Sequence, residues 1–334
     1  MIPAADHWPA DDIPGQLGRT AVITGANSGI GLVVATLLAK SGATVVLACR
    51  DVAKAERAAA EIRACSAQSS VRTVRLDLAS LTSVREAARE LKAAYPRVDL
   101  LINNAGVMWP PFQRSADGFE LTFATNHLGH FAFTGLVLDS LVRTPGSRVI
   151  TVSSVVHRDG VMRFDDLQSG LRYRPADAYA QSKLANLLFT YELSDRLRAA
   201  GHATAALAAH PGIARTELFR WNPPLTRILL HPALRPAMFW MVQSPQQGAL
   251  SILRAAVDPS ARSGEYYGPG GWRGYRGPPV LTTSASHSHE VPARRLLWER
   301  SEALTGVSYL SLRSQRRQPP APPNYSARSE GFGS

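Results

Sequence analysis

Cysteine is scarce: the 334-residue chain has two, Cys49 and Cys65. That number supports no disulfide framework, and a reducing compartment fits. Neither cysteine has a partner at metal-ligand spacing, so no metal site is expected. Long apolar runs are lacking as well. No stretch reaches the about 18 uninterrupted apolar residues that a membrane-spanning helix requires. The nearest approach, LTRILLHPALRPAMFWMV over 225–242, is interrupted by Arg227, His231, Pro232, Arg235 and Pro236. It reads as a hydrophobic lid or pocket wall, with peripheral membrane contact left open. The opening MIPAADHWPADDIPGQLG carries Asp6, Asp11 and Asp12 and no basic-then-apolar run, so no secretory signal is expected. These absences point to the cytoplasm. Acidic residues are the scarcer sign, 26 against 37 Lys and Arg, for a formal net charge of +11. Such an excess raises nucleic acid as a partner. The arginines are scattered, however, with no basic run interleaved with aromatics. Solvated helix faces account for them, and no nucleic-acid partner is expected.

What is present alternates. RTAVIT (19–24), ATVVLA (43–48), VRTVRL (71–76), DLLIN (99–103), SRVITVS (147–153) and ATAALAA (203–209) read as strands. Helical patterns at 29–40, 52–64, 81–94, 117–142, 177–200 and 245–257 separate or follow them, and a short run sits at EYY (265–267). Apolar strands spaced by helices predict a parallel sheet covered on both faces. Right-handed crossovers make that a doubly wound, Rossmann-type α/β fold. No long linker divides it. One domain is expected over 17–310, after an N-terminal extension over 1–16. GPGGWRGYRGPP (268–279) reads as a loop. The polar, proline-rich 311–334 is expected to be a disordered tail.

The first strand runs into TGANSGIG (24–31). Gly25, Gly29 and Gly31 there let backbone approach a pyrophosphate, and the helix that follows favours its charge. The second strand ends LACRD. A neutral Cys49 followed by Arg50 suits a 2′-phosphate, whereas an acidic residue would suit a free ribose hydroxyl. The expectation is therefore NADP(H) rather than NAD(H), with the adjacent Asp51 standing against it. Asp77, in RLDL, is placed to meet the adenine edge or, alternatively, to serve a helix N-terminus.

In order along the chain stand TGANSGIG, LDL, NNAG (103–106), NHLGHF (126–131), VSS (152–154), YAQSK (179–183) and HPGIART (210–216). This set resembles the short-chain dehydrogenase/reductase family over about residues 18–305. LACRD, NNAGVM and the long interval between Ser154 and Tyr179, with its FDDLQ (164–168), resemble the retinol dehydrogenase and protochlorophyllide reductase-like branch. The resemblance implies a catalytic set of Asn126, Ser154, Tyr179 and Lys183. It implies cofactor contacts from Gly25, Asn27, Ser28, Gly29, Ile30, Gly31, Arg50, Asp77, Leu78, Asn104, Ala105, Gly106, Tyr179, Lys183, Pro211, Gly212 and Thr216.

Chemistry agrees with that set. Reducing a carbonyl needs a hydride on carbon and a proton on oxygen. Tyrosine, with an ordinary pKa near about 10, is a poor acid–base at neutral pH. Lys183, four residues on and on the same helical face, is expected to lower it. Ser154 would orient the substrate oxygen. Asn126 would hold a water that links Lys183 to solvent, or simply cap or kink its helix. Ser153 is the rival to Ser154. His127, His130 and His157 read as packing or surface residues. Phe219, Trp221, Leu225, Ile228, Phe239 and Trp240 give 213–243 the character of an apolar lid over a lipophilic carbonyl or alcohol, though the same residues suit a core or a dimer contact. A homo-oligomer stays open. The function expected is a hydride transfer between NADP(H) and a hydroxyl/carbonyl pair; the rivals are reduction of a carbon–carbon double bond and a non-catalytic NADP-binding regulator.

Overall fold

A computed structural model describes residues 8, 13–66, 69–214 and 243–312. The strands β1 (Thr20–Thr24), β2 (Thr44–Cys49), β3 (Val71–Arg75), β4 (Leu100–Asn103), β5 (Arg148–Val152), β6 (Ala205–Ala209), β7 (Tyr266–Pro269) and β8 (Pro279–Leu281) form one sheet in the order β3-β2-β1-β4-β5-β6-β7-β8. The neighbours from β3 through β7 pair in parallel, as the alternation of strands and helices predicts. The exception is β8, which runs antiparallel to β7. It lies at the end of the stretch read as a Gly/Pro-rich loop, which is the connection of a β7–β8 hairpin. Proline is tolerated there because an edge strand needs only one ladder of hydrogen bonds.

Successive side chains of a strand point to opposite faces. Ala21 and Ile23 of β1 pack with α1 (Gly29–Lys40), α2 (Val52–Cys65) and α7 (Pro245–Val257) in one core. Val22 packs on the other face with α3 (Leu81–Ala94), α5 (Gly129–Val142), α6 (Pro175–Ala199) and α8 (Val291–Thr305). Trp8 and Ile13, within the stretch read as an N-terminal extension, pack against the first of these cores.

The helix expected over 117–142 starts later and is not uniform. Glu120 caps the short α4 (Leu121–Phe123), its carboxylate accepting from the backbone N–H groups of Thr122 and Phe123 at 2.7 Å each. A π-turn, Ala124–Leu128, then leads into α5. Helix α8 was not expected at all, although Pro292 in its first turn and Gly306 in the left-handed conformation beyond its end are ordinary start and stop signals. Among the described residues no helix is long and apolar enough to cross a membrane. The proposed lid lies almost wholly outside the described residues, as does the tail from 313 on.

Candidate active site

The carboxyl ends of the parallel strands meet at one edge, and the sheet order reverses between β1 and β4, which places a crevice there. The turn after β1 and the turn after β4 close on each other. A Cβ on Gly25, whose φ is +66°, would stand 2.9 Å from Cα of Ala105. One on Gly31 would stand 2.5 Å from Nδ2 of Asn104 and 2.6 Å from the Gly25 carbonyl oxygen. Only glycine fits at either position. Thr24 ties the two turns: its Oγ1 accepts from the N–H groups of Asn104 and Ala105 at 2.9 Å each, and its carbonyl accepts from Asn104 Nδ2 at 2.9 Å.

Asn27, Ser28, Gly29 and Ile30 lie in the same turn, part-exposed at the start of α1. Ser28 is the N-cap of α1, yet its side chain makes no capping hydrogen bond. An oriented set of N–H groups at a helix start, with backbone that can be approached closely, is what a pyrophosphate requires. The residues present therefore fit a dinucleotide.

At the end of β2 the ambiguity over charge narrows. Asp51 is the N-cap of α2, and its carboxylate accepts from Lys54 N–H at 2.9 Å. Arg50, beside it, is exposed. Cys49 is buried against the glycine turn. The backbone of Ala26, Asn27 and Gly25 favours its thiolate, but burial dominates and pushes its thiol up to about 11. Asp77 lies half-buried beyond β3 and accepts from Ala79 N–H at 3.0 Å. Ser80, not Asp77, caps α3. Leu78 is buried, and its carbonyl oxygen would be 2.3 Å from a Cβ on Gly129, so α5 approaches this loop closely. Pro211 and Gly212 follow β6. The Pro211 carbonyl accepts from Gln243 Nε2 at 2.6 Å, and Ile213 N–H donates to the Tyr275 carbonyl at 2.8 Å. Thr216 lies outside the described residues.

The polar centre assembles at the next strand end. Tyr179 and Lys183 are 5% and 4% exposed on α6, which makes this no solvated pair. Lys183 Nζ stands 5.6 Å from the Tyr179 ring centroid and donates to the Val152 carbonyl at 3.1 Å. The Ser154 side chain is close enough to the Tyr179 phenol to favour its ionised form. Ser153, the rival, donates its hydroxyl to the Lys183 carbonyl at 2.8 Å and so serves the main chain. Asn126 sits in the π-turn, where such widened turns often mark functional sites. Its Oδ1 accepts from Val107 N–H at 2.8 Å, and its Nδ2 donates to the Val107 carbonyl at 3.0 Å and to Ser182 Oγ at 2.9 Å. A Cβ on Gly106 would stand 3.1 Å from Asn126 Oδ1 and 3.7 Å from Lys183 Nζ, so this glycine borders both.

The electrostatics depart from expectation. Lys183 does not hold the Tyr179 phenol down. Burial raises that phenol well above its ordinary value, and the Ser154 side chain offsets only part of the rise. Lys183 is itself pushed down to about 8 by burial. The reason is geometric: the ammonium turns to a carbonyl rather than to the phenol oxygen. In this arrangement the phenol keeps its proton at neutral pH and can donate it.

His130 carries an unexpected link. The Asn126 carbonyl can only accept, so His130 Nδ1 donates to it at 3.0 Å. With His130 neutral, pushed down to about 4 by burial, its Nε2 accepts from the Thr24 hydroxyl at 2.8 Å. One imidazole thus couples the π-turn to the glycine turn. His127, also buried, pairs with Ser301 of α8 at 2.8 Å. No spacing in the sequence marks either contact. Among the described residues no cluster suited to a metal occurs.

The family model described as short chain dehydrogenase matches residues 19–223. Human retinol dehydrogenase 13 is 42% identical over 301 residues, which cover 89% of this chain and 88% of the relative. A crystal structure of a protein from Mycobacterium paratuberculosis is 40% identical, covers 91% of this chain and 99% of its own, and superposes with a TM-score of 0.74. The NADP complex of Pseudomonas aeruginosa RhlG is 25% identical with a TM-score of 0.60, covering 75% of this chain and 94% of its own. The chain belongs to the short-chain dehydrogenase/reductase family, is retinol dehydrogenase-like within it, and is an oxidoreductase that acts on CH–OH groups.

Proposed function

We propose that this protein is an NADP(H)-dependent oxidoreductase that interconverts a hydroxyl and a carbonyl on a small lipophilic substrate in the cytoplasm. The observation that carries the reading is the buried Tyr179 phenol on the same helix as a buried Lys183, whose Nζ stands 5.6 Å from its ring, with the Ser154 side chain acting on the phenol. When bound, the nicotinamide supplies the hydride to the substrate carbon or takes it away. Tyr179 gives its phenol proton to the carbonyl oxygen in reduction and recovers it in oxidation. Ser154 donates a hydrogen bond to that oxygen and orients it. Lys183 would hold the nicotinamide ribose, and Asn126 fixes the loop after β4 against α6. The backbone of Gly25–Gly31 would cradle the pyrophosphate, with Asn27, Ser28 and Ile30 alongside. Asn104, Ala105 and Gly106 would border the ribose, Asp77 and Leu78 the adenine, and Pro211 and Gly212 the carboxamide; Thr216 is proposed to join them from the sequence motif alone.

The preference for NADP(H) draws support from Asp51. Its carboxylate serves as a helix cap, so Arg50 is the residue left to meet a 2′-phosphate. The NADP bound by the RhlG structure agrees. The lipophilic substrate class rests on relatives whose names specify retinol and on the apolar residues between 213 and 243. Titration calorimetry tests the cofactor. Wild type is expected to bind NADPH more tightly than NADH, and Arg50→Ala to lose about tenfold or more in NADPH affinity while NADH is unchanged. Equal affinities in the wild type would overturn the preference.

A further inference from the structure

His157, which the hydride-transfer reading leaves without a role, holds the strand end that carries Ser154. It lies in the 3-10 turn Val155–Asp159, for which Ser154 is the N-cap, and it is fully buried. Its Nδ1 stands 2.6 Å from the Ser154 carbonyl oxygen. That oxygen also accepts the His157 backbone N–H at 3.1 Å, so ring and main chain clamp it together. On the opposite side of the ring, the backbone N–H of Ala285 reaches Nε2 at 3.1 Å.

These two partners fix the proton. A carbonyl oxygen only accepts and a backbone N–H only donates. One form of the ring satisfies both: neutral imidazole with its hydrogen on Nδ1. Nδ1–H then donates to Ser154, and Nε2 accepts from Ala285. An imidazolium would turn a second N–H against the Ala285 N–H. Burial acts in the same sense, pushing His157 down to about 4. Tyr266 packs edge-on against the ring at 5.6 Å, its hydroxyl 3.5 Å from Nδ1, while His287 Nε2 stands 3.4 Å from the His157 carbonyl.

The Ser154 hydroxyl has weak anchors of its own. Within the turn, it accepts from Val156 N–H at the long distance of 3.5 Å. Its aim therefore depends on where its main chain is held. We propose that His157 is a positioning residue: as the Nδ1–H tautomer, braced by Ala285, it fixes the Ser154 backbone and so aims the Ser154 hydroxyl at Tyr179 and the substrate oxygen. This proposal rests on the reading of Ser154 given above. The other buried imidazoles hold different parts. His130 ties to Thr24, His127 to Ser301, and His210 accepts from Gly212 N–H at 3.2 Å.

Two isosteric substitutions separate the two sides of the ring. Asparagine places an amide donor where Nδ1 stands, and glutamine places its terminal amide where Nε2 stands. With NADPH and retinaldehyde or benzaldehyde, His157→Gln is expected to lose about tenfold or more in kcat, because a small misplacement at a reacting centre is costly. His157→Asn should lose by a clearly smaller factor, and NADPH affinity should hold in both. Equal kcat in the two folded variants, whether reduced or at the wild-type value, would overturn the proposal. Ser154→Ala keeps the two readings apart. If it retains full turnover, or if neither aldehyde is reduced by the wild type, the reading of the reaction falls. If it loses turnover while the two His157 variants match, only the positioning role falls. Should neither variant fold, nitrogen-15 NMR of histidine-labelled wild type decides the question: a protonated Nδ1 and bare Nε2 at pH 7 are expected, and an Nε2–H tautomer or an imidazolium would overturn the inference.

Discussion

Tyr179 and Lys183 share one face of α6, and burial moves both toward their neutral forms, raising the phenol and lowering the ammonium. Spacing alone pairs them. It does not say that Lys183 Nζ donates to the Val152 carbonyl, and that contact decides which oxygen the charge serves. A phenol that keeps its proton, with a serine side chain acting on it, is suited to hand that proton to a carbonyl. Tyr179→Phe removes the donor and little volume. Turnover is expected to fall by about 10³-fold or more, at the strong end for a general acid, while NADPH affinity by fluorescence titration stays within about threefold. Turnover that survives in this variant would remove Tyr179 from the chemistry. The residues of the polar centre were legible because their motifs occur in order along the chain. Ser153 and Ser154 were separable only in part. What distinguishes them is that the Ser153 hydroxyl serves the Lys183 carbonyl, a contact between strand end and helix that no local pattern encodes.

At the scale of elements, the cofactor end depends on caps and close approaches. Asp51 begins α2, and its carboxylate satisfies a backbone donor that would otherwise lack a partner. Asp51→Ala is therefore expected to cost about 1 kcal/mol of stability, read as a lowered Tm, without weakening NADH binding. Lost NADH affinity with an unchanged Tm would mean that Asp51 holds the ribose and not the helix. The apolar strands β1 to β6 and their helices announce themselves by period. The departures have specific causes. Strand β8 has three residues, and two prolines, Pro269 and Pro279, face each other in its register with β7, so turn composition masks it. Helix α8 pairs basic with apolar residues, and only Pro292 and Gly306 mark its ends. The π-turn at Asn126 follows from tertiary contacts with Val107 and Ser182, which are formed by segments distant in the chain.

For the whole molecule, buried imidazoles dominate the response to acid. His127 and His210 are pushed down to about 3, and His130 and His157 to about 4, each chiefly by burial. All four are 0–1% exposed. Unfolded, each would take up a proton near the ordinary histidine value of about 6.5. The folded state refuses those protons until lower pH. The stability they contribute is full above about pH 6.5 and is lost as pH falls toward about 4, at up to about 1.4 kcal/mol per pH unit for each. Scanning calorimetry is expected to show Tm dropping steeply through that window. A Tm that holds level from pH 6.5 to 4.5 would contradict buried neutral imidazoles. The turns at the sheet's carboxyl edge are tied together by polar groups kept neutral, with His130 joining the π-turn to the glycine turn.

Hydride transfer between the nicotinamide and a carbinol carbon, with Tyr179 handling the proton, leaves a traceable label. Its most direct test is to incubate the protein in ordinary water with NADPH deuterated at the reactive C4 position and an α,β-unsaturated lipophilic aldehyde such as retinaldehyde. Mass spectrometry and NMR then locate the label. One deuterium is expected on the carbinol carbon of the alcohol, formed in step with NADPH oxidation. Deuterium on a former double-bond carbon, or NADPH binding with no oxidation across a panel of such aldehydes, would contradict it.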